Sequence, residues 1–563
     1  MNSVTLAEPA DVAARCEEPG LTLDPALPVA APASPRSMAD IPQPIAVEIP
    51  AATSDAPQID APQWRTDTLA QSLAILLALS VVQRLIGFAR QVMVCRWLEP
   101  AQLGEWDIAL KFLMLAAPVS VLGLPGSFGR YMEHYRRRGH LKTLLRRTAA
   151  ACIVLSAVST LGIAALRTAV SELIYGTPNH TGMVVLLAMS LLTVIAYNYL
   201  TEMLTALRMV RVASIVQLVN TVLFAVLSVA LVFGWQCDAA AIVAAYALSA
   251  AILIGPILVW FRRTWRQIPE PVERLSHSAL WGKLVPFAMS VWAVNLLYNL
   301  VGVVDRYMIV HYAPAAEPLA LVGDYHSSQV VPMLMVSVSG IVGGILLPYL
   351  SHDWEAGDQP AVAAKLNLAI KVLGIAMFAG SAVVLLASPL LFGVAFHGKF
   401  DGGLAILPWT LTYCIWMALV PLAQMYLWCA ERARLPAFAL VAGLIANVML
   451  CRLLLPAFGL HGVVWATCAA NLVTLAIMFQ FNRAFGMRIH GGTWLVILLP
   501  LLLGLGKWAV VAVTLVLFME ILTGERIFTR ADKQQFTATC RHYIMNRIFK
   551  SAATPSENTS PKR

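Results

Sequence analysis

Apolar runs of about twenty residues, the helix length that crosses a hydrocarbon core, follow one another from residue 68 to residue 522 with short polar breaks between them. In lipid every backbone polar group must be satisfied within its own segment, so runs of this kind fold as membrane-spanning helices. They fall near 68–93, 106–128, 146–167, 181–202, 213–234 and 239–261, and, beyond a basic stretch, near 285–310, 325–350, 366–393, 405–428, 437–456 and 461–482. Charged residues make up only 13% of the chain, against about 25% in a soluble domain. The chain is expected to be an all-α integral membrane protein.

The last apolar block, 494–522, is long for one crossing and short for two. Loop charge decides how to read it. The stretch 130–147, Arg208 with Arg211, the 262–283 loop, Arg432 with Arg434 and Arg483 with Arg488 all fall on one side when crossings are counted, while the loops 175–182 and 234–241 carry almost no charge. Lys and Arg gather on the cytoplasmic side, so both termini are expected in the cytoplasm and the number of crossings is even. A compressed hairpin broken at Gly504–Lys507 then gives fourteen helices; the alternative, a single tilted helix there, gives thirteen.

The segment 1–65 differs from the rest. It is crowded with Pro and Ala, carries nine acids between Glu8 and Asp60, and has no apolar period. Such a composition buries too little surface to offset chain entropy, which predicts a disordered cytoplasmic tail. It also lacks the basic start and short apolar core of a cleaved signal, so the first span is expected to act as the insertion signal. The 524–563 end is read as a second, basic cytoplasmic tail.

An internal repeat organises the spans between the tails. Setting "GFARQVMV" (87–94) beside "GVVDRYMI" (302–309) brings Gly87 onto Gly302 and Arg90 onto Asp305. Downstream, "GEW" (104–106) meets "GDY" (323–325), and "RYMEHYRRRG" (130–139) meets "PYLSHDWEAG" (348–357). The offset spans six crossings, an even number, so the copies enter the membrane the same way up, as parallel repeats related by an axis along the membrane normal. The expected domains are a six-helix bundle over 66–275, a second over 276–485 and a final helix pair over 486–523, with a central cleft between the bundles.

Each repeat opens on a helix with one polar stripe. Asn295, Asn299, Gly302 and Arg306 recur on one helical face, with Asp305 beside it; Gln83, Gly87 and Arg90 form the matching stripe, flanked by Arg84 and Gln91. Ionisable groups at mid-bilayer cost roughly 2.5–3.5 kcal/mol each on insertion scales, and they usually face a cavity. Arg90, Asp305 and Arg306 lie late in their spans, where snorkelling to the outer interface is the competing explanation. Arg84 and Asn299 lie deeper, where it is harder. Arg84, Arg90, Asn299 and Arg306 are therefore the candidate cavity residues. Asp107 and Lys111, at i, i+4 spacing, read as a self-neutralising pair.

Other chemistries find no support. Nine scattered cysteines form no CxxC pair, which argues against a zinc site or a disulfide framework. Phosphate-binding loops, HExxH and GxSxG are missing, so no enzyme activity, cofactor or metal is expected. The net charge of +9 is spread in short clusters between spans, unlike a nucleic-acid-binding patch.

The stretch "RLIGFARQVMVCRWLEPAQLGEWDIALKFLML", together with "VVDRYMIVHYAPAAEPLALVGDYHSSQVVPMLMVSVSGIVGGILLPYLS", resembles the lipid-linked oligosaccharide and polysaccharide flippases of the multidrug/oligosaccharidyl-lipid/polysaccharide exporter superfamily. The likeness extends over most of 68–523; the insertion at 314–320, the compressed last pair and the acidic tail depart from the pattern. It implies a protein of the cytoplasmic (inner) membrane that turns a polyprenyl-pyrophosphate-linked glycan from the cytoplasmic to the outer leaflet by alternating access. On this resemblance Arg84 and Arg90 hold the phosphates and Arg306 assists, while Asp305 either orients Arg306 or takes up a proton or sodium ion. Implied partners are membrane lipids, a polysaccharide polymerase and glycosyltransferases. A lipid II flippase and a cation-coupled multidrug antiporter of the same superfamily are the alternatives, though an antiporter is expected to place acids where Arg84 and Arg90 stand.

Overall fold

The computed structural model describes residues 69–270, 275–432, 434–528, 530 and 533, with side chains from Ala78 onward. The tails read at 1–65 and, for the most part, at 524–563 lie outside the described residues. Every element among those described is helical. The first group is α1 (Leu69–Trp97), α2 (Pro100–Ser120), α3 (Phe128–Arg137), α4 (Leu141–Ala165), α5 (Arg167–Tyr175), α6 (Thr181–Ala206), α7 (Val210–Gly234) and α8 (Ala239–Gln267). The second is α9 (His277–Tyr312), α10 (Pro318–Glu355), α11 (Gln359–Leu390), α12 (Asp401–Cys429), α13 (Arg434–Phe458) and α14 (Leu460–Ala484), followed by α15 (Gly491–Leu498) and α16 (Lys507–Thr523).

Eleven of these helices are long and apolar enough to cross a membrane, or twelve if α2 and the segment after it, bent by 62°, make one span. The chain is thus a multi-pass membrane protein. Each of the twelve runs that precede the last block has its own helix. The last block holds the short α15, a 3-10 turn over Leu499–Leu505 and α16, separated at Gly506, whose φ of +99° lies where only glycine is at ease. Both α15 and α16 pack on α11.

Packing divides α1–α14 into two lobes. In the first, α6 packs on α4, α8 and α2, and α7 on α1 and α8; in the second, α12 packs on α11, α14 and α10, and α13 on α9 and α14. The same pairings therefore occur in both halves. Burial follows from this arrangement. The apolar window of α12 is 72% buried and that of α6 56%, whereas that of α9 is 6% buried and that of α1 11%. The central helices hold each lobe together, and α1 and α9 run along its uncovered side.

The lobes meet where α2 and α10 begin, since α2 lies against α9 and α10 and α1 lies against α10. The approach is as close as backbones allow. A Cβ on Gly104 would stand 1.9 Å from the carbonyl oxygen of Leu319, and a Cβ on Gly323 1.9 Å from that of Pro100. These are the two glycines that the repeat sets on each other, and each accepts the other helix's main chain. At the same end Lys399 donates to Glu99 at 2.8 Å, a second bridge between the lobes.

The two halves differ at one point. Pro118 removes a hydrogen bond near the end of α2, then Leu122 and Gly123 take positive φ values of 50° and 63° and the chain turns into α3. The matching α10 carries Pro332 and Pro348 and still runs unbroken through 38 residues. The basic stretch at 130–147 is accordingly not a loop throughout, for α3 buries Phe128, Met132 and Tyr135 and turns its arginines outward.

Candidate functional site

Beneath the α2–α10 crossing lies a cavity of about 280 Å³, walled by α1, α2, α9 and α10. Phe88, Leu110, Met333 and Leu334 give it apolar sides; its charged lining is three cations, Arg84, Lys111 and Arg306, facing a single acid, Asp107.

Arg306 is almost fully buried, at 4% exposure. Its Nε donates to Asp107 Oδ2 at 2.8 Å, and its two terminal nitrogens donate to Gln329 Oε1 at 2.5 Å and to the Gly302 carbonyl at 3.2 Å. The guanidinium also lies 4.8 Å over the Tyr325 ring. Gln329 in turn donates to the Tyr413 hydroxyl at 2.6 Å. Asp107 is shared, because His326 Nδ1 stands 2.8 Å from its other oxygen. Gln91 Nε2 contacts His326 Nε2. With the amide as donor, the ring proton sits on Nδ1 and faces the carboxylate, so the tautomer that suits Gln91 also suits Asp107.

These contacts cross between the lobes in a matched way. Gln91 of α1 reaches His326 of α10, and Arg306 of α9 reaches Asp107 of α2. The repeat that sets Arg90 on Asp305 sets Gln91 on Arg306, and the one that sets Gly104 on Gly323 sets Asp107 on His326. Asp107, Lys111, His326 and Gln329 were not among the candidate site residues. Carrying the two alignments one and three positions further is the sequence signal that finds Asp107 and His326.

Arg84 and Arg306 line the cavity. Arg90 does not: its guanidinium lies 3.9 Å over the Phe224 ring of α7, inside the first lobe, and its Nε is buried without a hydrogen-bond partner. The expectation that it lines the cleft is corrected on that ground, since Arg90 points about 100° away from Gln91, toward α7 rather than α10. Asn299 is half-buried and outside the cavity, its amide donating to the Asn295 carbonyl at 2.8 Å.

Asp305 faces away from its neighbour. It accepts from the Tyr325 hydroxyl at 2.5 Å, from Asn447 Nδ2 at 3.1 Å and from the Thr467 hydroxyl at 3.1 Å, all within the second lobe. Successive helical residues point about 100° apart, so Asp305 does not orient Arg306; Asp107 and Gln329 do. Nor do Asp107 and Lys111 neutralise each other, because the acid is held by Arg306. Neither Lys111 nor Arg84 has an ion-pair or hydrogen-bond partner among the described residues.

A family model described as "Polysaccharide biosynthesis protein" matches residues 69–354, half of the chain. The chain belongs to the polysaccharide biosynthesis protein family. No curated protein matches it. Among solved structures, this family member is similar to a multidrug resistance MATE family transporter of the MOP superfamily in an inward-facing conformation, at 15% identity and TM-score 0.60, over 73% of this chain and 98% of the other. It is similar to the lipid II flippase MurJ in an inward closed conformation at 11% identity and TM-score 0.59, over 80% of this chain and 98% of that one. A MOP superfamily transporter from Pyrococcus furiosus matches at 12% identity and TM-score 0.53, over 74% and 94%. At these identities the likeness is one of fold: two lobes with a cavity between them.

Proposed function

We propose that the chain is a flippase that moves a polyprenyl-pyrophosphate-linked oligosaccharide from the cytoplasmic to the outer leaflet of the cytoplasmic membrane, for cell-surface polysaccharide synthesis. The observation that carries this is the charge of the cavity: cations from α1, α2 and α9 surround one acid that is already paired, and among the described residues neither Arg84 nor Lys111 has a hydrogen-bond or ion-pair partner. A drug-cation antiporter needs the opposite polarity. A diphosphate suits guanidinium groups that present a planar fork of donors, so Arg84 and Arg306 are assigned to it, with Lys111 adding to the positive field. Gln91, Gln329 and His326 offer donors and acceptors to sugar hydroxyls, and the prenyl chain can stay in lipid beside the uncovered faces of α1 and α9.

With the N-terminus in the cytoplasm, as the loop charges predict, the end closed by α2 and α10 faces outward, and the substrate is received from the cytoplasmic side. Coupling to a proton or sodium ion is assigned to Asp305, a buried acid surrounded by hydroxyl and amide groups.

The test is depletion of the protein followed by analysis of the lipid-linked glycans of the inner leaflet. The expected result is accumulation of one lipid-linked oligosaccharide, restored to normal turnover by the parent and not by Arg84→Ala inserted at parental level. Accumulation of lipid II would transfer the assignment to the peptidoglycan precursor; unchanged glycan pools, or full rescue by Arg84→Ala, would overturn the reading.

A further inference from the structure

The four residues that cross between the lobes form a closed set whose charges do not pair in the way helix spacing predicts. On α2, Asp107 and Lys111 are one turn apart, near enough for a side-chain ion pair. In this structure the acid bonds instead to Arg306 of the opposite lobe, at 2.8 Å, and Lys111 lines the cavity with no hydrogen bond or ion pair among the described residues, attracted to Asp107 only at longer range. The glycine crossing and the Glu99–Lys399 bridge lie at the same end, at residues 99–104 and 319–323. A buried acid thus has two candidate partners, one across the lobe boundary and one on its own helix.

We propose that Asp107 is the moving member of a charge-exchange latch. With the cavity empty of anion, Asp107 bridges to Arg306, assisted by the Gln91–His326 contact, and holds the lobes together at the α2–α10 end. An anionic headgroup entering the cavity takes Arg306 and Arg84, and the released Asp107 carboxylate turns to Lys111. In the second arrangement each of the three cations has an anionic partner, because the anion supplies the negative charge that Asp107 withdraws from Arg306. With only the exposed Glu99–Lys399 pair left across them, the lobes separate at that end. The pseudo-symmetry gives a physical reason for the switch to be all-or-none: the two crosswise contacts, Arg306 to Asp107 and Gln91 to His326, share the Asp107–His326 contact and break together. This inference rests on the anionic-substrate reading above.

The test uses the full-length protein in lipid nanodiscs, native cysteines replaced, with Glu99→Cys and Lys399→Cys joined by a short bis-maleimide as a readout of closure. The probe is farnesyl diphosphate, whose binding is measured separately by calorimetry. In the parent, saturating probe is expected to lower cross-linking. Asp107→Asn is expected to lower it without probe, by about tenfold in the closed-to-open ratio, as loss of 1.4 kcal/mol or more of differential stabilisation implies. In Lys111→Gln, cross-linking is expected to equal the parent's without probe and to stay high at saturating probe, because Asp107 has no second partner.

Asp107→Asn as closed as the parent overturns the latch. Lys111→Gln opening as the parent does overturns the exchange. A parent that binds the probe and stays cross-linked overturns the exchange and leaves the anionic-substrate reading intact, whereas a parent that does not bind it overturns both. The probe titration of the parent needs no variant, so a poorly folding Asp107→Asn does not remove the test.

Discussion

Asp305 and Arg306 are adjacent in sequence and do different work. The arginine reaches across the lobe boundary to Asp107, while the aspartate gathers donors from α10, α13 and α14. A buried donor left without an acceptor costs about 1–3 kcal/mol, so Asp305→Ala, which strands the Tyr325 hydroxyl and one Asn447 amide hydrogen while Thr467 keeps the Val463 carbonyl, is expected to lower the thermal unfolding midpoint in detergent well below that of Asp305→Asn. Asp305→Asn is also expected to make flipping in proteoliposomes insensitive to the ion gradient that drives the parent. Breaking a buried ion pair from one side costs about 3–5 kcal/mol; Arg306→Gln, which leaves Asp107 unpaired, is therefore expected to destabilise the protein more than Arg84→Gln, whose side chain has no partner to strand. Arg84 and Arg306 stand out in the sequence because charges in apolar segments are costly. Arg90 stands out for the same reason, yet only the position of Phe224 reveals that its charge rests on a ring.

At the level of the helices, the α2–α10 crossing depends on two residues without side chains. Gly323→Ala puts a methyl 1.9 Å from the Pro100 carbonyl oxygen, a distance no contact tolerates, so the helices must part. The expected outcome is lower cross-linking between Glu99→Cys and Lys399→Cys than in the parent, with helix content by circular dichroism unchanged. The Glu99–Lys399 pair is suited to this use because Glu99 is 65% exposed and an exposed pair of this kind contributes about 0–1 kcal/mol. Each of the twelve long helices that precede the last block is legible in the sequence, since length and apolarity fix a spanning helix by themselves, whereas the short α3 and α5 are not. The bend after α2 is less so: Pro118 and Gly123 signal a break, but α10 carries two prolines and stays one continuous helix. In a packed helix, neighbours can satisfy or mask the freed carbonyl, and neighbours are not written in the local sequence.

For the whole molecule, residues 1–60 are acidic, rich in Pro and Ala and without an apolar period, so their removal is expected to leave insertion and glycan export at parental level, measured by immunoblot of membranes and by surface-glycan staining. The two lobes repeat one pairing scheme, and they touch both at the α2–α10 crossing and at the far end, where the Tyr131 hydroxyl donates to the Lys283 carbonyl, with the cavity between. The sequence by itself determined that this chain is a membrane protein and where its long helices fall before the last block, because hydropathy acts along the chain and needs no partner. Only the tertiary structure decided which charges meet. Asp107 had Lys111 within reach on its own helix and pairs instead with Arg306, 199 residues away, because α2, crossed by α10 at the glycines, also packs on α9 and buries the acid where a guanidinium with several fixed acceptors neutralises it. Local spacing limits the partners a charge can have; packing between the lobes selects among them.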